Sequence, residues 1–423
     1  MILRQIFRRL LILDSKPFTL YWLGTTISFL GDSLIPVAAT FAVLHLGGSG
    51  TDVSLLLGAL WGTRVLFILA GGVWSDTFSR KQVIFWTDII SGFNHLLIGL
   101  AFFSGHIEIW HLILSAAFFG AASAISSPAS IGLISEIVTK DRLKRANSLV
   151  SISKNGLLIF GPALAGFLAS FIGYGFIFTL DAVTFFISSI CLFFLKIPNA
   201  NKLVGKSSPL MDLREGISEF SRKWLWTSAV AFALGNMVVA SFNVLGPLIA
   251  EESLNGASDW GLIASSGAVG ALLGALLSQY IRPKTPLFFS FLLKGVFVTL
   301  QLIALLQPSP IWVIMLVSGL ASGSMITSTI LYDTIVQIKI PGHLISRIDS
   351  IESLISYVLM PIGLIAVGPM AENIGYDYTL TIFIIISILT NFIMLTLPAI
   401  RKIKSESEES REGVYNEKTN SSN

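Results

Sequence analysis

The chain has 423 residues, of which 53% are hydrophobic and only 13% are Asp, Glu, Lys or Arg, with a formal net charge of +3 and a mean hydropathy of +0.77. An ordinary soluble domain carries roughly 25% charged residues. A water-soluble fold of two or three domains is therefore excluded, because so much apolar surface has no soluble way to be covered, and the bilayer must be the solvent for most of the chain.

The opening stretch, Met1 to Leu13, is basic and apolar, but Asp14, Lys16 and Pro17 interrupt it and no small-residue cleavage site follows. It reads as a cytoplasmic interfacial helix with Arg4, Arg8 and Arg9 toward lipid headgroups, not as a signal peptide. A helix needs about 20 mostly apolar residues to cross a bilayer. Six such runs fall near 18–44, 53–74, 82–103, 109–134, 147–169 and 175–195. Six more fall near 225–250, 259–280, 287–306, 311–336, 351–369 and 378–398. The fold expected is an all-α membrane protein of twelve transmembrane helices. Its parts are a basic segment (1–17), a six-helix bundle (18–197), a polar linker (198–223), a second six-helix bundle (224–400) and a polar tail (401–423), the tail being too polar to fold by burial. The single cysteine, Cys191, excludes an internal disulfide and sits in an apolar run as a small hydrophobe.

Orientation follows from the cations. Arg4, Arg8, Arg9 and Lys16 precede the first span; Arg80 and Lys81, then Lys140, Arg142, Lys144 and Arg145, occupy alternate connections. Lys202, Lys206, Arg214, Arg222 and Lys223 lie in the linker, and Arg282, Lys284, Lys339 and Arg347 continue the pattern. The opposite connections, around Gly47–Thr51, Gly105–Glu108, Ser170–Gly173, Glu251–Asp259, Gln307–Pro310 and Glu372–Asp377, contain no Lys or Arg. By the positive-inside rule both termini and the linker are cytoplasmic.

The two halves match at a displacement of 202 residues: Gly72 with Gly274, Arg80 with Arg282, Gly173 with Gly375, Tyr174 with Tyr376. Parallel repeats of this kind place a substrate site near the midplane between halves. Gly72-x-x-x-Asp76-x-x-x-Arg80-Lys81 resembles the signature loop of the major facilitator superfamily, with Thr77 and Ser79 where the family usually has arginine and glycine. Gly161-Pro162-Ala-Leu-Ala-Gly166 in the fifth span resembles the Gly-Pro antiporter motif of drug-efflux members. Pro128-Ala129-Ser130, Asp141-Arg142-Leu143, Arg145-Ala146-Asn147 and Asp181-Ala-Val-Thr184-Phe185 resemble the branch that holds macrolide-efflux and enterobactin-exporter-like proteins. The resemblance implies a gating role for Gly72, Asp76, Arg80 and Lys81, with Asp76 latching the cytoplasmic side. The residues alone also allow a topogenic basic loop.

Asp32 stands near the middle of the first span, and Pro36 four residues on has no N–H to give its carbonyl, so the helix is expected to open locally. A charge at bilayer centre costs at least ~2.5–3.5 kcal/mol, and desolvation favours the neutral carboxyl. Proton or cation coupling, substrate contact and a structural ion pair are all open for it. Arg64 lies near mid-depth of the second span; Lys154 and Lys294 lie closer to the cytoplasmic ends, where they can snorkel. Asp181 and Asp88 are possible partners, with Asp32–Arg64 and Lys154–Asp181 as plausible pairs. Asp88, Ser91 and His95 share one helical face, as a proton relay or a polar stripe against a neighbour. Gly161, Pro162 and Gly166 allow close packing of the fifth helix.

No metal-ligand spacing, cofactor motif or phosphate-binding loop is present in the sequence, which argues against an enzyme or an ATP-driven pump. The sequence leads to a secondary active exporter, in a bacterial cytoplasmic membrane, of a small amphipathic organic molecule. That molecule would be a drug such as a macrolide, or a siderophore or other metabolite. Protons are the expected coupling ion, lipids the surroundings, and the monomer the working unit, with no nucleic-acid partner. Uptake or lipid movement by the same fold, and a non-transporting receptor or assembly factor, are the alternatives.

Overall fold

The computed structural model describes residues 15–139, 142–197, 220–306, 309–340 and 345–403, with backbone alone at 69–77, 144, 345–347 and 350. The basic N-terminal segment, most of the linker and the tail fall outside the described residues. Among those described, twelve helices are long and apolar enough to cross a membrane. In chain order they are α1 (Lys16–His45), α2 (Gly50–Thr77), α3 (Arg80–Phe103), α4 (Ile109–Ile137), α5 (Leu143–Ile172) and α6 (Tyr174–Phe194). Then follow α7 (Lys223–Ser253), α8 (Ala257–Ser278), α9 (Pro286–Leu306), α10 (Ile311–Lys339), α11 (Ile345–Ile374) and α12 (Tyr376–Thr396), with a short α13 at Pro398–Arg401.

The internal repeat is written into the backbone. α4 and α10 both start and both stop 202 residues apart, as do α6 and α12. Each of the latter pair is entered through a left-handed glycine, Gly173 at φ +79° and Gly375 at φ +88°. A side chain there would be strained, whereas glycine turns the chain back at no steric cost. The first helix is less broken than its sequence suggests. α1 runs through Pro36, and the hydroxyl of Thr40 caps the Pro36 carbonyl at 2.9 Å.

The chain divides into two compact units. One comprises Met1–Gly205 with Asn243–Ser265 and Leu364–Ile374; the other comprises Lys206–Phe242, Ser266–Gly363 and Gly375–Asn423. In the first unit, Phe18 and Tyr21 of α1, Ile84 of α3, Leu133 of α4 and Leu192 of α6 form one core. In lipid there is no hydrophobic drive between helices, so such contacts hold through close van der Waals packing and interhelical hydrogen bonds. The Tyr21 hydroxyl donates to the Ser130 carbonyl (3.1 Å) and Thr63 to that of Ala117 (2.9 Å). Near the start of α2 and the end of α11, the Glu372 carboxylate accepts the backbone N–H and the hydroxyl of Thr51, both at 2.7 Å.

In the second unit Trp224, Leu287, Phe291, Tyr332 and Ile348 form the corresponding core. Gly270 and Gly274 of α8 meet Gly319 and Gly323 of α10 so closely that a Cβ on either α8 glycine would strike the opposing backbone. Small residues four apart on both helices are what permit this approach.

Candidate functional site

Three helices of the first unit bring acidic side chains together in a dry interior. α6 places Asp181 (0% exposed) against α3, where His95 (1% exposed) meets it, Nδ1 to Oδ2. Thr184, one turn on, donates to the Asp181 backbone carbonyl at 2.7 Å and lies 3.2 Å from its Oδ1. From the opposite side α1 offers Gly31, and a Cβ there would collide with the Asp181 carboxyl and the Thr184 hydroxyl. The glycine therefore makes room for the acid. Phe119, Phe178 and Phe185 surround the imidazole, their ring centroids 5.2, 5.6 and 6.0 Å away. The rings leave the imidazole almost wholly buried, which strengthens the electrostatics around it.

Asp88 lies two turns before His95 on the same face of α3, buried, with Ser188 of α6 as its hydrogen-bonding neighbour. Asp32, next to Gly31, is half-buried as a residue, yet its Oδ1 is enclosed. Among the described residues Asp32 Oδ1 and Asp88 Oδ2 have no hydrogen-bond partner. Asp32 feels the charges of Asp181 and Asp88 and, more weakly, those of Lys154 and Arg64. The site is thus a three-carboxyl cluster with one imidazole in direct contact.

The partners differ from two that the sequence offered. Asp181 pairs with His95, not Lys154, because α3 packs directly on α6 while the Lys154 Nζ lies over the Phe29 ring, 5.3 Å from its centroid. Arg64 places its guanidinium over Trp61 at 5.1 Å and reaches Asp32 through space. Asp88, Ser91 and His95 do share one buried face of α3. His95 is also part of the wall of an apolar cleft with Pro36, Leu60, Leu112 and Phe178. Among the described residues no group of three or more His, Cys, Asp or Glu could hold a metal ion.

The segment expected to gate is only partly described. α2 runs through Gly72 and Asp76 to Thr77, and the side chains of both lie outside the described residues. Arg80 reaches Glu136 of α4 (Nη1 to Oε1, 3.3 Å), and Lys81 donates to the carbonyls of Phe193 and Leu195 (3.1 and 2.8 Å). These cations tie α3 to its neighbours, and Lys81 sits where the α6 dipole favours positive charge. The Gly-Pro segment of α5 packs on two sides. Gly161 abuts Ser33 of α1, Gly166 abuts Ala257, and the Ala163 N–H beside Pro162 donates to Ser265 of α8 at 3.1 Å. A group the sequence reading passed over lies in the second unit: Glu352 of α11, bonded by Ser356 and within the field of Lys294.

Comparison with known proteins gives a consistent family. A family model described as transmembrane secretion effector matches residues 10–421. The multidrug efflux pump Tap of Mycobacterium tuberculosis (strain ATCC 25618 / H37Rv) is 26% identical over 403 residues, covering 92% of this chain and 94% of that protein. Macrolide efflux protein A of Streptococcus pyogenes is 24% identical over 401 residues, covering 92% and 96%. The MFS-type transporter YfiS of Bacillus subtilis is 29% identical over 274 residues, and this match spans 63% of the chain and 64% of YfiS, just under two thirds of either. Among solved structures the nucleoside transporter NupG aligns with a TM-score of 0.71 at 14% identity, covering 92% of this chain and all of that one. At that identity the likeness speaks to the fold alone.

Proposed function

Because this chain belongs to the transmembrane secretion effector family of the major facilitator superfamily, we propose that it is a proton-coupled exporter of small amphipathic organic molecules in a bacterial cytoplasmic membrane. It is a multi-pass membrane transport protein and not an enzyme. The outward direction is supported by the relatives, which are a multidrug efflux pump and a macrolide efflux protein. A macrolide-like, drug-sized molecule is the substrate class that follows from them. The working unit in this reading is the monomer.

Proton coupling rests on one observation: Asp32 and Asp88 each keep an enclosed oxygen without a hydrogen-bond partner, beside Asp181, whose carboxyl is held by His95. An ionised carboxylate buried in this way carries a large desolvation cost, and binding a proton removes the charge. The two unpartnered groups also lie in one electrostatic field, where a bound proton relieves repulsion between like charges. The cluster can therefore load and release protons as solvent reaches it, and alternating access supplies that change in exposure.

The test is transport in proteoliposomes with an imposed pH gradient, using radiolabelled erythromycin and ethidium as probes. Asp32→Asn keeps the size of the side chain and fixes it neutral. The expected outcome is loss of gradient-driven export with exchange of internal for external probe retained. Full gradient-driven export by this variant would overturn the coupling role. Loss of exchange as well would move Asp32 into the substrate site.

A further inference from the structure

The second unit contains an ionisable group of its own, on helices that share no residue with the acidic cluster. Lys294 of α9 is 9% exposed. Its Nζ stands over the Phe232 ring of α7, 4.9 Å from the centroid, and against Gly235, where a Cβ would come within 2.7 Å of it. Among the described residues no carboxylate lies within salt-bridge distance of this ammonium; the charge that acts on it is Glu352 of α11. A buried cation held only by an aromatic face is a costly arrangement unless a counter-charge can reach it.

Glu352 is engaged elsewhere. The Ser356 hydroxyl lies 2.6 Å from Glu352 Oε1, a short O–H···O hydrogen bond. Ser356 Oγ lies 3.5 Å from the Ala229 carbonyl of α7, and Asn236 of α7 donates to the Ser356 carbonyl at 2.8 Å. Ser356 has one hydroxyl hydrogen and two acceptors. While Glu352 is ionised, the hydrogen belongs to Glu352. Once Glu352 is an acid, its own O–H can donate to Ser356 Oγ, and the serine hydrogen turns to Ala229. Among the described residues the other ionisable groups facing Glu352 are Tyr332 and Asp333 of α10 and Asp349 of its own helix. The Tyr332 hydroxyl is buried with no hydrogen-bond partner among the described residues, a donor available to whichever acid approaches.

We propose that Glu352 and Lys294 form a second proton site, in which Glu352 alternates between pairing with the Lys294 ammonium as a carboxylate and bonding through Ser356 to α7 as an acid. The step balances as one proton taken up by the Glu352 carboxylate and one released from the resulting acid, with Lys294 charged throughout. The site rests on the proton-coupled reading of the whole protein and extends it to the second half. Its effect is to make the packing of α7, α9 and α11 depend on a bound proton.

The decisive measurement needs no substrate. Infrared difference spectra of the full-length protein in lipid, taken between about pH 5 and pH 9, report each carboxylic acid that titrates through its carbonyl stretch. Glu352→Gln should remove one component, and Asp32→Asn should leave that component in place. Lys294→Gln removes the neighbouring positive charge, so the same component should titrate about one pH unit higher. Ser356→Ala should change its frequency by deleting the hydrogen bond. Should Glu352→Gln lower stability, Lys294→Gln and Ser356→Ala still interrogate the native acid. An unchanged spectrum in Glu352→Gln, or an unmoved midpoint in Lys294→Gln, overturns the proposal. Failure of the general proton-coupled reading would show separately, as full gradient-driven export by Asp32→Asn.

Discussion

His95 and Asp181 meet through Nδ1 and Oδ2 in surroundings that leave the imidazole 1% and the carboxyl 0% exposed. The pair joins α3 to α6 and stands beside the two carboxyl groups that have an unpartnered oxygen. It is therefore both a strut of the first unit and the fixed side of its acidic cluster.

His95→Phe should leave the buried Asp181 carboxyl without its imidazole partner and destabilise the protein by about 1–3 kcal/mol, the usual consequence of leaving a buried polar group unsatisfied. Adding Asp181→Asn removes the stranded carboxyl and should recover part of that loss. Thermal unfolding in detergent, followed by intrinsic fluorescence, gives both comparisons. A double variant less stable than His95→Phe alone would show that the two groups do not act as a pair.

Lys81→Met deletes the two bonds to the Phe193 and Leu195 carbonyls while retaining much of the apolar stem. The expected cost is about 1 kcal/mol, set by the loss of a cation at a helix C-terminus. Lys81→Arg should lose less than half as much, since a donor still reaches the carbonyls. Identical unfolding midpoints for wild type and Lys81→Met would reduce Lys81 to a topogenic charge.

The cation pattern gives an expected orientation in the membrane, and reporter fusions check it. Fusions after Pro198 and after Arg401 are each expected to report the cytoplasm. An external signal at either site would contradict the inside assignment of the linker or the C-terminus.

The helices were legible because their spans are continuous apolar runs ended by turn residues. The run near 109–134 became Ile109–Ile137, and the run near 378–398 became Tyr376–Thr396. The displacement of 202 residues, read from a few matched residues, reappears in the limits of whole helices. The pairing of acidic groups was less legible. His95 and Asp181 are 86 residues apart, and nothing in either segment states that α3 lies closer than α5 to the buried face of α6. Glu352 was missed because it stands at the edge of an apolar run, where an acidic residue ordinarily marks the membrane surface. What distinguishes it is Ser356, one turn further into α11, together with a lysine on another helix.

The two halves share a backbone plan but not a set of charges. At the 202-residue displacement, Asp88, His95 and Asp181 correspond to Ser290, Phe297 and Phe383. Lys294, Tyr332 and Glu352 correspond in turn to Gly92, Ser130 and Val150. The scaffold is repeated while the ionisable side chains it carries are not. A chain built from two copies of the first half would keep Gly173-type turns at both places yet enclose twice the carboxyl groups and no Lys294. A chain built from two copies of the second would lack the histidine–aspartate strut altogether. Symmetry thus ends at the main chain, and each half carries its own set of ionisable groups.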